Sequence, residues 1–541
     1  MSPSAESASL APPVQVSMMG AMTAMTDYIL ARCVESVATD AVGAGNHGKA
    51  TDSAAPATLL YYDVAVVDGA DCLLAVLESG GGQEWLACRL DLDNPIPSMG
   101  KVWPAMIWPE RELAQKSGRE VLDHPQMQPV FQPHRFLPQP RATGAGVFTL
   151  PLGPVRADVT ESALFLFETV GEQIVSLQPQ LFYKHRGIEQ MVRGQTPENA
   201  LLLAERISGT SSFNHAYAFA QAVEQAAGKS VPETVQLERI LFSELERLYN
   251  HAGDMSQIAS AAGMTVGQAQ LARIKEELLR LNANLTGSRY LHGAVKLCGA
   301  SGMVWQEQAT EIHNLLEEMN HRLEHYVKLL QRTPTFVDRL VGTGIVDPSW
   351  VREYSLVGPV ARACGGETDS RSGLMTQSSA RSIDFSQLGF RTSVSQRRAG
   401  DAKDRFDVRV QEWRVSLAMV DRLLNRLVTE QSATTGQSES TSQSESSGES
   451  AASWDVTASL DGVWSSFTGK SGWGVGIAEG PRGRIAHVVH LNEGKIEHYG
   501  VRSASAWNWP VFGLATANGN IQTDFPVIDA SFGLSYAGID R

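Results

Sequence analysis

Three short segments concentrate polar residues capable of chemistry in otherwise apolar surroundings: Glu205-Arg206-Ile207-Ser208-Gly209-Thr210-Ser211, Glu479-Gly480-Pro481-Arg482-Gly483 and Ser535-Tyr536-Ala537-Gly538-Ile539-Asp540-Arg541. The first begins inside a helical pattern and breaks it with glycine and hydroxyl residues. Such a break gives up stability, and a functional site is one reason for it. A kink satisfied by Ser and Thr side chains bonding back to helix carbonyls is the other, and the residues alone weigh the two equally. Elsewhere, Thr468-Gly469-Lys470-Ser471 resembles the end of a phosphate-binding loop, but Gly462 precedes it by six residues where that loop needs four, so a turn is the better reading. Gly472, Gly474 and Gly476 give G-x-G-x-G inside a strand pattern, not the G-x-G-x-x-G that opens a helix around a dinucleotide. His185, His215, His251, His487 and His490 are dispersed and form no compact ligand set, so they read as packing and hydrogen-bonding residues. His487 and His490, three apart in a strand, point to opposite faces.

A fold large enough to position these segments is available. The chain has 541 residues, 43% hydrophobic and 19% charged, which excludes a disordered, collagen-like or polytopic membrane chain. Lys+Arg 45 against Asp+Glu 59 leaves −14, which argues against a nucleic-acid footprint or an anionic-membrane anchor. Cys33, Cys72, Cys88, Cys298 and Cys364 form no C-x-x-C pair, fit a reducing compartment and cannot supply a four-thiolate cluster. The sequence has neither a long apolar run nor a secretory leader, so a cytoplasmic location is expected.

Residues 1–25 and the run 432–453 are Ser-rich and are expected to be disordered, the second interrupting a domain. Between about 55 and 100, β-rich runs suggest a small α/β domain, bounded by the Pro-rich stretch 128–144. Strands are predicted within 147–182, and helices then take over. Thr196-Pro197 marks a helix start, Ser230 to Glu233 reads as a capping box, and stripes at 237–248 and 312–330 precede a further helix near 405–429. Residues 472–502 read as a hairpin packed near the bundle.

At these residues the chain resembles a known family. The segments LFYKHRGIEQMVRGQTPENALLLAERISGTSSFNHAYAFAQAVEQAAG, PETVQLERILFSELERLYNHAGDM, VGPVARACGGETDSRS, EGPRGRIAHVVHL and the stretch from Val501 to Arg541 are similar, in order, to the large subunit of energy-converting [NiFe] hydrogenases of the formate hydrogenlyase type. They also resemble the homologous large core subunit of respiratory complex I. Trp108 to Glu112 and Asp123-His124-Pro125 resemble the complex I accessory subunit, fused ahead of the large subunit as in formate hydrogenlyase. The resemblance implies an α+β fold: a small N-terminal α/β domain over 26–135, then a helical-bundle core with peripheral β-hairpins over 145–541.

The family's nickel–iron site is held by two C-x-x-C pairs, whose positions here are Ser208 and Ser211, and Ser535 and Gly538. Hydroxyls are hard, weak ligands for a soft low-valent metal and glycine offers none, so no nickel site and no hydrogenase activity are expected. The histidine and tyrosine associated with the quinone headgroup in complex I correspond to Arg156 and Gly209. Glu205, His185, Arg362, Arg482 and the Asp540-Arg541 end survive, and the stop after Arg541 resembles complex I, which needs no nickel-dependent processing. The resemblance therefore implies a nickel-free large subunit without a cofactor of its own. It would dock on an iron–sulfur small subunit beside proton-channel-like and antiporter-like membrane subunits, at the cytoplasmic face of the inner membrane. In a residual pocket among Ser208, Ser211, Arg482, Ser535 and Asp540, Arg482 would supply fixed charge and Glu205 a titratable relay. Reduction of a quinone or other small acceptor there, and a purely structural coupling role, are the alternatives.

Overall fold

The computed structural model describes residues 15–34, 57–79, 82–90, 95–131, 139–156, 161–299, 301, 303–372, 383–441 and 467–541, the last nine residues of the 402–441 helix by their backbone only. Four strands, β1 (Val16–Met19), β2 (Thr58–Val67), β3 (Ala70–Ser79) and β4 (Gly82–Arg89), form a sheet in the order β1-β4-β3-β2, with β1 parallel to β4. The side chains of β3 alternate between two apolar faces. Leu73, Ala75 and Leu77 meet helix α1 (Met22–Cys33), while Cys72, Leu74 and Val76 meet a second sheet. A sheet covered on both sides reads as a continuous apolar run, as CLLAVLES does. Residues 16–25 correct the expected tail. Val16 to Met19 pair with Trp85 to Cys88, and Met22 and Met25 bury against the sheet, which offsets the ordering cost.

A pair β5 (Ile96–Pro97) and β6 (Val121–Leu122) flanks α2 (Ile107–Ser117), whose Glu110 and Glu112 are buried. After residue 139, β7 (Val147–Leu152), β8 (Leu164–Val170) and β9 (Gln173–Gln180) make an antiparallel sheet. Helices α3 (Ile188–Val192), α4 (Pro197–Ala204), α5 (Ser212–Ala226), α6 (Glu233–Ala261), α7 (Thr265–Thr286), α8 (Trp305–Gln331), α9 (Pro334–Leu340), α10 (Trp350–Glu353), α11 (Gly358–Ala363) and α12 (Ala402–Thr441) follow. Helix α6 is buried almost throughout and gathers α5, α7 and α12 around it. It starts at Pro232 without a side-chain cap, so the expected capping box does not form. Gly263 ends the turn beyond it at φ +78. Helix α12 carries the backbone through Thr441, so the first part of the run 432–453 is helix and not spacer. The rest of that run lies outside the described residues.

The 472–502 region is three strands, β10 (Gly472–Gly480), β11 (Gly483–Asn492) and β12 (Lys495–Arg502), with α13 (Ala504–Ala517), α14 (Phe525–Phe532) and α15 (Ala537–Asp540) behind them. The G-x-G-x-G pattern serves packing. A Cβ on Gly474 or Gly476 would collide with the carbonyl oxygens of Ala222 or Ala218, so glycine lets β10 lie directly on α5. Thr468 and Gly469 sit in a turn from Phe467 to Lys470, with Lys470 N donating to Phe467 O at 3.0 Å. Among the described residues, no helix is long and apolar enough to cross a membrane.

Candidate functional site

Three chain breaks converge. The loop between α4 and α5 carries Ser208 and Ser211, and Ser212 Oγ donates back to the Ser208 carbonyl at 3.2 Å, the local bonding that a helix kink calls for. The turn between β10 and β11 carries Arg482 and presses on the start of α11, where any side chain at Gly358 would strike the Arg482 carbonyl. Gly533, at φ +60, ends α14 and turns the chain toward the first loop. Ser535 is then fixed by its N–H to Ser505 Oγ (2.9 Å) and by Trp509 Nε1 to its carbonyl (3.2 Å).

The four positions aligned with the family's thiolates thus stand together, Ser208 and Gly538 linked through the Ser535 hydroxyl and Ser211 tied to the Ser208 carbonyl by its backbone N–H (3.1 Å). Ser208 Oγ and Ser535 Oγ share a hydrogen bond of 2.9 Å, Thr210 Oγ1 lies 3.1 Å from Ser208 Oγ, and Gly538 N donates to Ser535 Oγ at 3.0 Å. Ser208, Ser211, His215, Arg482, Ser535 and Gly538 line a cavity of about 10 Å³. That is room for about one water molecule. Arg482 is engaged at all three nitrogens: Nε donates to Gly533 O, Nη1 to Asn250 Oδ1 (3.0 Å) and Nη2 to Asp254 Oδ1 (3.0 Å). Burial pushes the Asp254 carboxyl up, but Arg482 and Arg409 outweigh it and hold it below its usual range.

Glu205 and Asp540 do not reach the cavity. Glu205 accepts from Gly293 N (3.0 Å) and Arg206 Nη1 (3.1 Å), and burial raises its pKa. Asp540 accepts from Phe182 N (2.7 Å) and Lys184 N (3.0 Å) and so pins the loop after β9; burial pushes it up to about 6. Arg362 lies in a separate buried ion network with Glu412, Asp369 and Glu479. Arg156 is held by Tyr536 OH (3.0 Å) and Asp529 (3.4 Å), with its guanidinium over the Phe165 ring. Asn250, Asp254 and His215 belong to the site although sequence reasoning did not place them there. Asn250 and Asp254 are four apart on α6, which puts them on one face, but that helix also buries Glu238, Arg239, Glu244, Glu246, Arg247 and His251, so the spacing alone does not single them out.

A nickel–iron centre does not fit these residues. Hydroxyls and a glycine replace the soft thiolates, Ser208, Ser535 and Gly538 are joined by hydrogen bonds, and the space between them is water-sized.

Residues 262–541 match the family described as the respiratory-chain NADH dehydrogenase 49 kDa subunit, and residues 186–255 match nickel-dependent hydrogenase. Formate hydrogenlyase subunit 5 of Escherichia coli is 25% identical over 518 residues, 89% of this chain and 82% of the relative. NADH-quinone oxidoreductase subunit 4 of Thermus thermophilus is 29% identical over 282 residues, 52% of this chain and 67% of the relative. Among solved structures, a chain of the membrane-bound sulfane sulfur reductase, an archaeal respiratory membrane complex, superposes with a TM-score of 0.59 at 21% identity, covering 73% of this chain and 99% of that one.

Proposed function

The chain belongs to the family of the respiratory-chain NADH dehydrogenase 49 kDa subunit, and from that premise we propose that it is a nickel-free, hydrogenase-like large subunit of a membrane-associated energy-converting oxidoreductase complex. Its relatives carry the names of formate hydrogenlyase, hydrogenase-4 and NADH-quinone oxidoreductase subunits, which supports placement in a multisubunit assembly. In this reading an iron–sulfur small subunit docks on it, membrane subunits carry the ion, and the chain sits at the cytoplasmic face. Its part is to link electron transfer in the partner to ion movement.

The observation that carries this reading is the closure of the former metal site. A cavity of about 10 Å³ accommodates neither a metal pair nor a quinone headgroup, since ligand pockets run to roughly 300 Å³ and above. Arg482, the cation suited to an incoming acceptor, is already paired with Asp254. The geometry therefore favours conformational coupling over reduction of a small acceptor at this position.

Nickel and iron analysis of the purified intact complex tests the reading. Iron without nickel is expected, the iron belonging to the partner; stoichiometric nickel bound to this chain would overturn it.

A further inference from the structure

A cavity of about 670 Å³ opens between the two parts of the chain and shares no lining residue with the closed site. Helix α2 gives it Trp108 and Arg111, position 141 adds a second arginine, and the end of β9, Tyr354 and α13 form other walls. Its volume falls within the range of small-molecule sites, roughly 300–1,000 Å³.

The charges around this cavity have one sign. In a chain of net charge −14, no Asp or Glu is among the described residues that line it, and the sequence between Phe131 and Gln139 contains none either. Arg111 donates from Nε to Gln128 O (2.6 Å) and from Nη2 to Pro129 O (3.4 Å). Both acceptors are neutral carbonyls, and three of the five N–H donors of the guanidinium are left over. Arg141 is positioned through its backbone. The buried Glu168 accepts from Arg141 N and Ala142 N at 2.6 Å each and from Gln178 Nε2 at 3.1 Å. Among the described residues, neither guanidinium forms an ion pair. Two like charges on one cleft with low-dielectric walls focus a positive potential in it, and the flat fork of a guanidinium matches carboxylate and phosphate oxygens. The apolar wall beside them sets these two apart from solvated surface arginines. Trp108 and Tyr354 pack on the cluster that holds Leu177 and Phe182, yet both are only half-buried, so ring surface remains for an occupant.

We propose that this cavity binds a small organic anion, a carboxylate or phosphate monoester on a flat apolar body. Arg111 and Arg141 hold the anionic group, and Trp108 and Tyr354 cover the body. Because α2 belongs to the N-terminal part and β9 and α13 to the large domain, an occupant bridges the two and stabilises the folded chain by mass action. The site stands on these residues and does not depend on the function proposed above.

Calorimetric titration of the purified full chain with naphthyl phosphate tests the proposal. Saturable binding by the wild type is expected, together with a raised thermal midpoint. In Arg141→Ala the binding should weaken at least about tenfold, the loss of a charge-assisted contact, and the midpoint shift should vanish. That variant removes no hydrogen bond of the Arg141 side chain among the described residues, so the fold is kept, and Arg111→Lys tests the second guanidinium independently. Inorganic phosphate and neutral naphthylmethanol, each carrying one half of the probe, should bind at least about tenfold more weakly. No saturable binding to the wild type below about 1 mM, undiminished binding to Arg141→Ala, or equal binding of either half would overturn the assignment. Nickel found in the intact complex would overturn the earlier reading and leave this one standing.

Discussion

Arg482 shows at the residue scale how the site has been closed. Its guanidinium is shared among the Gly533 carbonyl, Asn250 and Asp254, so removing it strands buried partners instead of opening a pocket. Arg482→Ala leaves Asp254 with Arg409 alone and Asn250 Oδ1 with none, and breaking such a buried pair costs about 3–5 kcal/mol. Denaturant unfolding of the purified protein should show that loss, with Arg482→Lys recovering part of it; an unfolding midpoint unchanged in Arg482→Ala would mean the pair is not formed. Ser208→Ala is expected to be mild, about 1 kcal/mol, because Ser535 Oγ keeps the Gly538 N–H. The same unfolding experiment distinguishes the two magnitudes.

Elements carry the next layer of control. Helix α5 and strand β10 touch backbone to backbone through Gly474 and Gly476, and these elements hold His215 and lead into the Arg482 turn. Gly476→Ala must separate them, with an overpacking cost of roughly 1–3 kcal/mol or more. A lowered thermal midpoint with a displaced site is the expected outcome, and a midpoint equal to wild type would contradict the close approach. Helix α2 offers a pH-dependent case. Glu110 anchors the loop at Ser98 Oγ and Met99 N, and burial pushes its pKa up from 4.5 to about 7. A carboxyl that binds its proton more tightly when folded stabilises the fold fully below its unfolded pKa and loses that contribution as pH rises through its folded one. Relative to Glu110→Gln, the wild type should therefore lose about 3 kcal/mol between pH 4.5 and 7. Parallel pH–stability curves for the two proteins would refute the assignment.

Across the whole molecule, the N-terminal sheet and the 472–502 sheet share one apolar interface, Leu74, Val76 and Trp85 against Trp473, Val475 and Val488. Beside it, Glu112 on α2 receives both Arg502 and Arg541, and Lys116 bridges Asp63 and Glu189. A chain beginning at residue 145 would expose that apolar face and remove Glu112 from both arginines, leaving Arg541 with Glu189 alone. It should aggregate or unfold at a lower temperature than the full chain, whereas equal solubility and midpoint would show the two parts to be independent.

The helical stripes, the strand runs of 55–100 and the residue types of the Ser- and Arg-bearing motifs were legible, because periodicity and residue type are local properties. The roles of Glu205 and Asp540 were not. Each lies in the right motif, yet each carboxylate is turned onto backbone N–H groups, of Gly293 in one case and of Phe182 and Lys184 in the other. The His215–His487 contact joins residues 272 apart, beyond any local pattern. What the sequence determined by itself is the donor chemistry: three serines and a glycine where thiolates would stand, a property of side-chain atoms that no fold can alter. Only the tertiary structure decided that those positions close on one another. The Ser208–Ser535 hydrogen bond spans 327 residues, and a distance of that kind is set by the packing of α5, β10 and α14 around the buried α6.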